Sequence, residues 1–248
     1  MVQQGRWRPR SGTPGGPPVG GRHNRGRCEE VRVYNGHVEA DGETSVRLLD
    51  ELIITKFSVG GLDNNVYLLS DRATGDSVLI DAACAPERIL DVLDHSHIVG
   101  IVTTHAHPDH WRGLAEVAEA TGAPTLAHEV DAPSIGHPTD HVLQDGDVVT
   151  FGESRLTVRN IRGHTDGSII LIYDDPGGHP HIFTGDCLFP GGVGKTYSAD
   201  SFGTLLTGVI EGVFDVFPDE TWIYPGHGDD TTLGAERPHL EEWAQRGW

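Results

Sequence analysis

Three imidazoles and a carboxylate crowd into Thr103-Thr104-His105-Ala106-His107-Pro108-Asp109-His110, directly after the apolar run Ile98 to Thr103. Such a cluster at the end of a buried strand restricts what the rest of the chain can do. Imidazole nitrogen and carboxylate oxygen suit Zn²⁺, Fe or Mn²⁺, and the absence of a nearby thiolate argues against a closed structural zinc site. The fold therefore has to bring further ligands from elsewhere to this strand end. Three more candidates stand at comparable places, each closing an apolar strand: His164 in Arg162-Gly163-His164-Thr165, Asp186 in Phe183-Thr184-Gly185-Asp186-Cys187, and His227 in Tyr224-Pro225-Gly226-His227-Gly228.

The surrounding pattern indicates an α/β chain. Short β-rich runs at Glu51 to Phe57, Asn65 to Leu69, Ser77 to Ile80 and Ile98 to Thr103 are separated by Gly and Asp turn residues. Helices are predicted after Pro86, with Ile89, Leu90 and Leu93 at helical spacing, and from Trp111 to Ala120. The second half repeats the order, with strands at Asp147 to Phe151, Arg155 to Asn160, Ser168 to Tyr173 and His181 to Thr184. A helix from Phe202 to Phe214 and a last strand, Thr221 to Tyr224, follow. Strands then a helix, twice over, predict two sheets packed face to face with helices outside, an αββα sandwich.

Residues 1–28 are Gly, Pro and Arg with almost no aliphatic side chain, too little to offset the entropy of ordering, so this head is predicted to be disordered and residues 29–248 to form the folded unit. The net charge of -19, from 18 Lys+Arg against 37 Asp+Glu, repels phosphate backbones and anionic lipid, which predicts neither nucleic acid nor a membrane as partner. The three cysteines, Cys28, Cys84 and Cys187, are too scattered for a CxxC motif and fit a reducing cytoplasm. Cys187 reads as a packing residue. No run of about 18 apolar residues could span a bilayer, and no secretory signal opens the sequence, so cytoplasmic residence is predicted.

Taken together, HxHxDH, GH[TS], GD and PGH, in that order, resemble the metallo-β-lactamase superfamily over roughly Leu52 to Glu236. The resemblance implies a two-metal centre in the metallo-β-lactamase fold. It assigns His105, His107 and His164 to one ion, Asp109, His110 and His227 to the other, and Asp186 to both. Asp109 and Asp186 would then belong to the catalytic machinery, with two divalent cations as cofactor, zinc first and iron or manganese open. Cations about 3.5–4 Å apart bring a bridging water's pKa towards neutrality, so hydroxide forms without a separate protein base. Flavodiiron proteins carry Glu where His107 stands, and many true β-lactamases carry Cys or Ser where Asp186 stands, which favours hydrolysis but not of an antibiotic.

The stretch Cys187-Leu188-Phe189-Pro190-Gly191-Gly192-Val193-Gly194-Lys195-Thr196-Tyr197 resembles the corresponding segment of glyoxalase II enzymes, GDTLF-x-x-GCGK-x-Y once Asp186 is included. By that resemblance Lys195 and Tyr197 bind a small-molecule thioester through its thiol carrier. Thioesters suit such a site because a thiol of pKa near 8.5 leaves without a dedicated acid. Persulfide dioxygenases, which show GCGRTDF here and use a single iron on the residues matching His105, His164 and Asp186, are the alternative. The ending Asp229 to Glu236 resembles the TT-x-G-x-E of short bacterial glyoxalase-II-like proteins, and the helical domain of full-length glyoxalase II is not expected, so glutathione itself as carrier stays open. Of the other histidines, His137 and His141 are candidates for a pocket rim, and His95, His97, His128, His179, His181 and His239 read mostly as solvated loop residues.

Overall fold

The structure is a computed structural model that describes residues 6–8 and 34–247. Chain order runs β1 (Arg6–Trp7), β2 (Ser45–Leu48), β3 (Leu52–Val59), β4 (Asn64–Asp71), β5 (Asp76–Ile80), α1 (Pro86–Leu93), β6 (His97–Thr103), α2 (Leu114–Thr121), β7 (Thr125–His128) and β8 (His141–Leu143). It continues through β9 (Val148–Phe151), β10 (Ser154–Asn160), β11 (Ile169–Tyr173), β12 (His181–Gly185), β13 (Leu188–Phe189), β14 (Gly192–Val193), α3 (Ala199–Val209), β15 (Trp222–Pro225), β16 (Thr231–Thr232), α4 (Leu233–Glu236) and α5 (Leu240–Arg246).

Apart from β1, each half of the chain builds one sheet. Strands β2 to β8 lie side by side in sequence order, while the second sheet runs β1-β9-β10-β11-β12-β15-β16. Facing rows from the two sheets, including Leu52, Ile54, Leu69, Val78 and Ile80 against Val149, Phe151, Leu156, Leu171 and Phe183, make the central core. The opposite faces are covered too: α1 and α2 pack over Phe57, Val66, Leu68 and Leu79, and α3 lays Phe202, Leu205, Leu206 and Val209 over Ile161, Ile170, Ile172 and Ile182. Strands covered on both faces read as nearly continuous apolar runs, as the central ones do here. Each fully buried Leu, Ile or Phe contributes about 1.5–3 kcal/mol of transfer free energy, so these layers dominate the stability. The αββα arrangement is the one predicted.

Three differences have local causes. Helix α2 starts at Leu114 because Pro108–His110 form a separate 3₁₀ turn and the Trp111 indole donates to Ala106 O at 2.9 Å, bracing the histidine loop. Helix α3 starts earlier than predicted, at Ala199, because the Ser198 side chain accepts from Ser201 N, and it widens into a π-helical turn over Ile210–Phe214. Within the head, Arg6–Trp7 form a short strand that pairs in parallel with Val148–Val149. Trp7 joins the central core and lies against Gly100 and the ring of His141. The rest of residues 1–28, Cys28 included, lies outside the described residues.

Candidate metal centre

Strands β6, β12 and β15 and the turn after β10 all finish at one end of the sandwich. There the chain leaves regular pairing, and the side chains of His105, His107, Asp109, His110, His164, Asp186 and His227 converge. His105 Nε2 lies 3.1 Å from His107 Nδ1 and 3.2 Å from His164 Nε2. His227 Nε2 lies 3.2 Å from His110 Nε2 and 3.5 Å from Asp109 Oδ2, and Asp109 Oδ2 is 3.8 Å from His110 Nε2. Asp186 stands between the two groups: Oδ2 is 3.5 Å from both His164 Nε2 and His227 Nε2, and Oδ1 is 3.4 Å from His110 Nε2.

These spacings can be tested against an ion. Around a tetrahedral centre with bonds of about 2.0–2.1 Å, neighbouring ligand atoms sit about 3.3–3.4 Å apart. The observed separations cluster around that value. Asp186 Oδ1 is, in addition, a buried oxygen without a hydrogen-bond partner. Backbone bulk is trimmed to match: a Cβ on Gly226 would come within 2.3 Å of Asp186 Oδ1, and one on Gly194 within 1.7 Å of Asp186 O. The residues present therefore fit divalent cations.

The outer nitrogens of four imidazoles are engaged, which leaves the inner ones to face the cluster. His110 Nδ1 meets Asp81 Oδ2 at 2.8 Å, His164 Nδ1 meets Lys195 O at 2.8 Å, and His227 Nδ1 meets Leu62 O at 2.8 Å. His105 Nδ1 lies 3.1 Å from Thr104 Oγ1, which itself donates to Asp81. Asn64 Nδ2 donates to Asp109 Oδ2 at 3.1 Å. Outer partners of this kind fix the tautomer and orientation of metal-binding histidines.

Electrostatics separate the two groups. Burial, reinforced by the neighbouring imidazole of His110, holds His105 well below its ordinary pKa, and burial lowers His164 as well, so both keep neutral rings with lone pairs available. Burial also opposes charge on His110, but the Asp81 and Asp186 carboxylates outweigh it and carry the ring up to about 10. Asp186 is held far below the usual carboxylate range despite its burial, because the imidazoles of His110 and His227 stand beside it. Positive charge is thus favoured where Asp81, Asp109 and Asp186 surround His110.

Three positioning residues are not singled out by the sequence reading. Asp81, at the end of β5, adopts a left-handed backbone (φ 59°) and accepts from both Thr104 N and Thr104 Oγ1 while holding His110. Asp131 ties the loop of His107 to that of His164, accepting from Ala106 N, Thr165 Oγ1 and Gly167 N. Asn64 orients Asp109. The only signal for any of them is a polar residue closing or opening an apolar strand, which also describes an ordinary turn.

Lys195 and Tyr197 are not in the ligand cluster. They line a cavity of about 470 Å³ with Val193, Gly194, Thr196 and Ser198. Lys195 Nζ lies 5.6 Å from the centre of the Tyr197 ring, which is 77% exposed. His141 belongs to edge strand β8 beside Trp7, away from the ligands. His181 and His128 are buried rather than solvated: His181 meets Tyr224 Oη at 2.8 Å, and burial, with Arg47 nearby, drives its pKa down to about 3. Cys187 packs beneath α3 as predicted, its thiol pushed up by burial.

This fold and this ligand order place the chain in a known class: it belongs to the metallo-beta-lactamase superfamily, whose family model matches residues 59–227. The superfamily binds divalent metals, and the His and Asp clusters described above are the candidate sites for them here. It is similar to an uncharacterized protein of Mycobacterium leprae, 32% identical over 225 residues that cover 77% of this chain and 99% of that one. It is also similar to a hydroxyacylglutathione hydrolase of Fuscovulum blasticum, 32% identical over 169 residues, 66% of this chain and 62% of the relative. The chain therefore spans less than two thirds of that hydrolase. Among solved structures, ETHE1 from Myxococcus xanthus matches with a TM-score of 0.68 at 27% identity, covering 77% of this chain and 84% of the other. No helix among the described residues is long and apolar enough to cross a membrane.

Proposed function

We propose that the protein hydrolyses small acyl-thiol thioesters at a centre of two divalent cations, zinc first, in the manner of glyoxalase II. One observation carries the reading from hydrolase to thioesterase: the Lys195 carbonyl is bonded to the ligand His164, so the segment bearing Lys195 and Tyr197 is anchored beside the ligands. The similarity to hydroxyacylglutathione hydrolase supports the same substrate class.

His105, His107 and His164 would hold one ion and Asp109, His110 and His227 the other, with Asp186 shared. Bound there, divalent ions lower the pKa of water and polarise a carbonyl oxygen. The protein's own groups do the rest. Asp109, whose side chain is 23% exposed and steered by Asn64, would orient the attacking water. Lys195 offers an ammonium donor and Tyr197 a phenol to the carrier, away from the reacting carbon. Water adds to the thioester carbon, the C–S bond breaks, and a carboxylic acid and a thiol leave. The free thiols of Cys84 and Cys187 fit a cytoplasmic enzyme.

The test is to count metals in the purified protein by elemental analysis and to assay S-lactoylglutathione, a persulfide and a lactone side by side. Near two equivalents of metal with thioester turnover is the expected result. One iron with oxygen consumption on the persulfide would replace this reading with the mononuclear-iron dioxygenase.

A further inference from the structure

Lysine is a poor choice for the inward row of a central strand, yet Lys56 follows Leu52 and Ile54 on that face of β3 with its side chain 0% exposed. Its ammonium is fully committed: Nζ donates to Gly36 O at 2.8 Å, Gly228 O at 2.7 Å and Asp230 Oδ1 at 2.8 Å. Asp230 is equally enclosed and also accepts from Tyr34 Oη. Ion pairs this deeply buried give little net stability, because desolvation offsets the attraction. Stability alone does not account for this one.

What the pair touches is informative. Gly228 follows His227, and the loop around that histidine is clipped to the opposite sheet at every carbonyl that flanks it. Pro225 O accepts from Asn65 Nδ2 and Tyr67 Oη, Gly226 O from Asn65 N, and Gly228 O from Asn65 Nδ2 and Lys56 Nζ. Strands β3 and β4 supply all these donors, whereas the loop leaves β15 of the other sheet. Lys56 is the one charged donor in the set, and Asp230 fastens the chain just beyond the loop to the same ammonium.

We infer that the buried Lys56–Asp230 pair is a positioning device for His227, and so sets the affinity of the Asp109–His110–His227 group for its cation without contributing to the His105–His107–His164 group. The inference rests on the two-cation reading above. None of these contacts of Lys56 or Asp230 reaches the His105–His107–His164 group.

Co²⁺ titration followed by visible absorption, with elemental analysis, tests it. The variants His227→Ala and His107→Ala provide the spectrum of each group alone. Lys56→Met strands the Asp230 carboxylate, so the double variant Lys56→Met/Asp230→Leu, which removes both charges, is measured beside it, with urea unfolding to show that it is folded. In the double variant we expect one Co²⁺ bound as in wild type, with the His227→Ala spectrum, and the second weakened by about tenfold or more, the scale of an outer-partner loss. A second Co²⁺ bound as tightly as in wild type, or both weakened alike, overturns the inference. A wild-type protein that takes only one Co²⁺ overturns the two-cation reading, a separately visible failure.

Discussion

Asp186 lies within 3.5 Å of the inner nitrogens of His110, His164 and His227, so its removal takes a ligand from both groups and leaves three imidazoles without their shared carboxylate. Asp186→Ala is expected to lose bound metal and about a hundredfold or more of activity together, with an unchanged far-ultraviolet circular dichroism spectrum; retained metal in elemental analysis would contradict the assignment. Asp81 acts one step out. Asp81→Asn tolerates the left-handed backbone but cannot accept from Thr104 and His110 as a carboxylate does, and a metal affinity about 10–100-fold lower is expected in competition with a chelator. Lys195→Ala should instead raise KM for the thiol-bearing substrate with kcat little changed, since the side chain points into the cavity shared with Tyr197 and not into the ligand cluster.

At the scale of elements, helix α3 begins directly after the Lys195–Tyr197 segment, and its first turn depends on Ser198, whose Oγ accepts from Ser201 N at 3.0 Å. Ser198→Ala is expected to destabilise the protein by about 1 kcal/mol, read as a shift of the urea midpoint at constant slope. The same element shows what periodicity conveys and what it omits. Leu205, Leu206 and Val209 declare the buried face of α3, but the π-helical turn at Ile210–Phe214 has no counterpart in apolar spacing. Strands β7 and β8 are short, and their polar members, Thr125, His128 and His141, mask the alternation that marks longer strands. The candidate ligand blocks were legible because each closes an apolar run with a residue that has no packing reason to stand there. Asp81, Asn64 and Asp131 were not, because short polar residues next to strands also serve as plain turn formers. Lys56 was hidden for the opposite reason: a lysine in a strand normally points to water.

Across the whole molecule, the two sheets are also joined at the end of β4. Asp71, 2% exposed, accepts from Ser154 Oγ and Glu153 N of the other sheet and from Thr74 in its own turn. Burial alone would raise its carboxyl, but the hydrogen bonds outweigh it and hold the pKa below the ordinary value. A carboxyl lowered in the folded state stabilises fully above its unfolded pKa of about 3.9 and loses that contribution as pH falls through the lower folded value. Wild type should therefore exceed Asp71→Asn in urea midpoint at pH 6 to 7, and the gap should narrow as the solution is acidified below about pH 4; a gap independent of pH would assign the effect to packing.

His105, His107, Asp109 and His110 come from the half of the chain that builds the first sheet, and His164, Asp186 and His227 from the half that builds the second. Neither half can assemble a full coordination sphere by itself. Capture of a cation is therefore reserved for chains whose two halves have already met in register, and an ion, once seated, rivets the halves together. Metal uptake in such an architecture doubles as an inspection of folding: a chain that has joined its sheets wrongly stays empty, and with it inert.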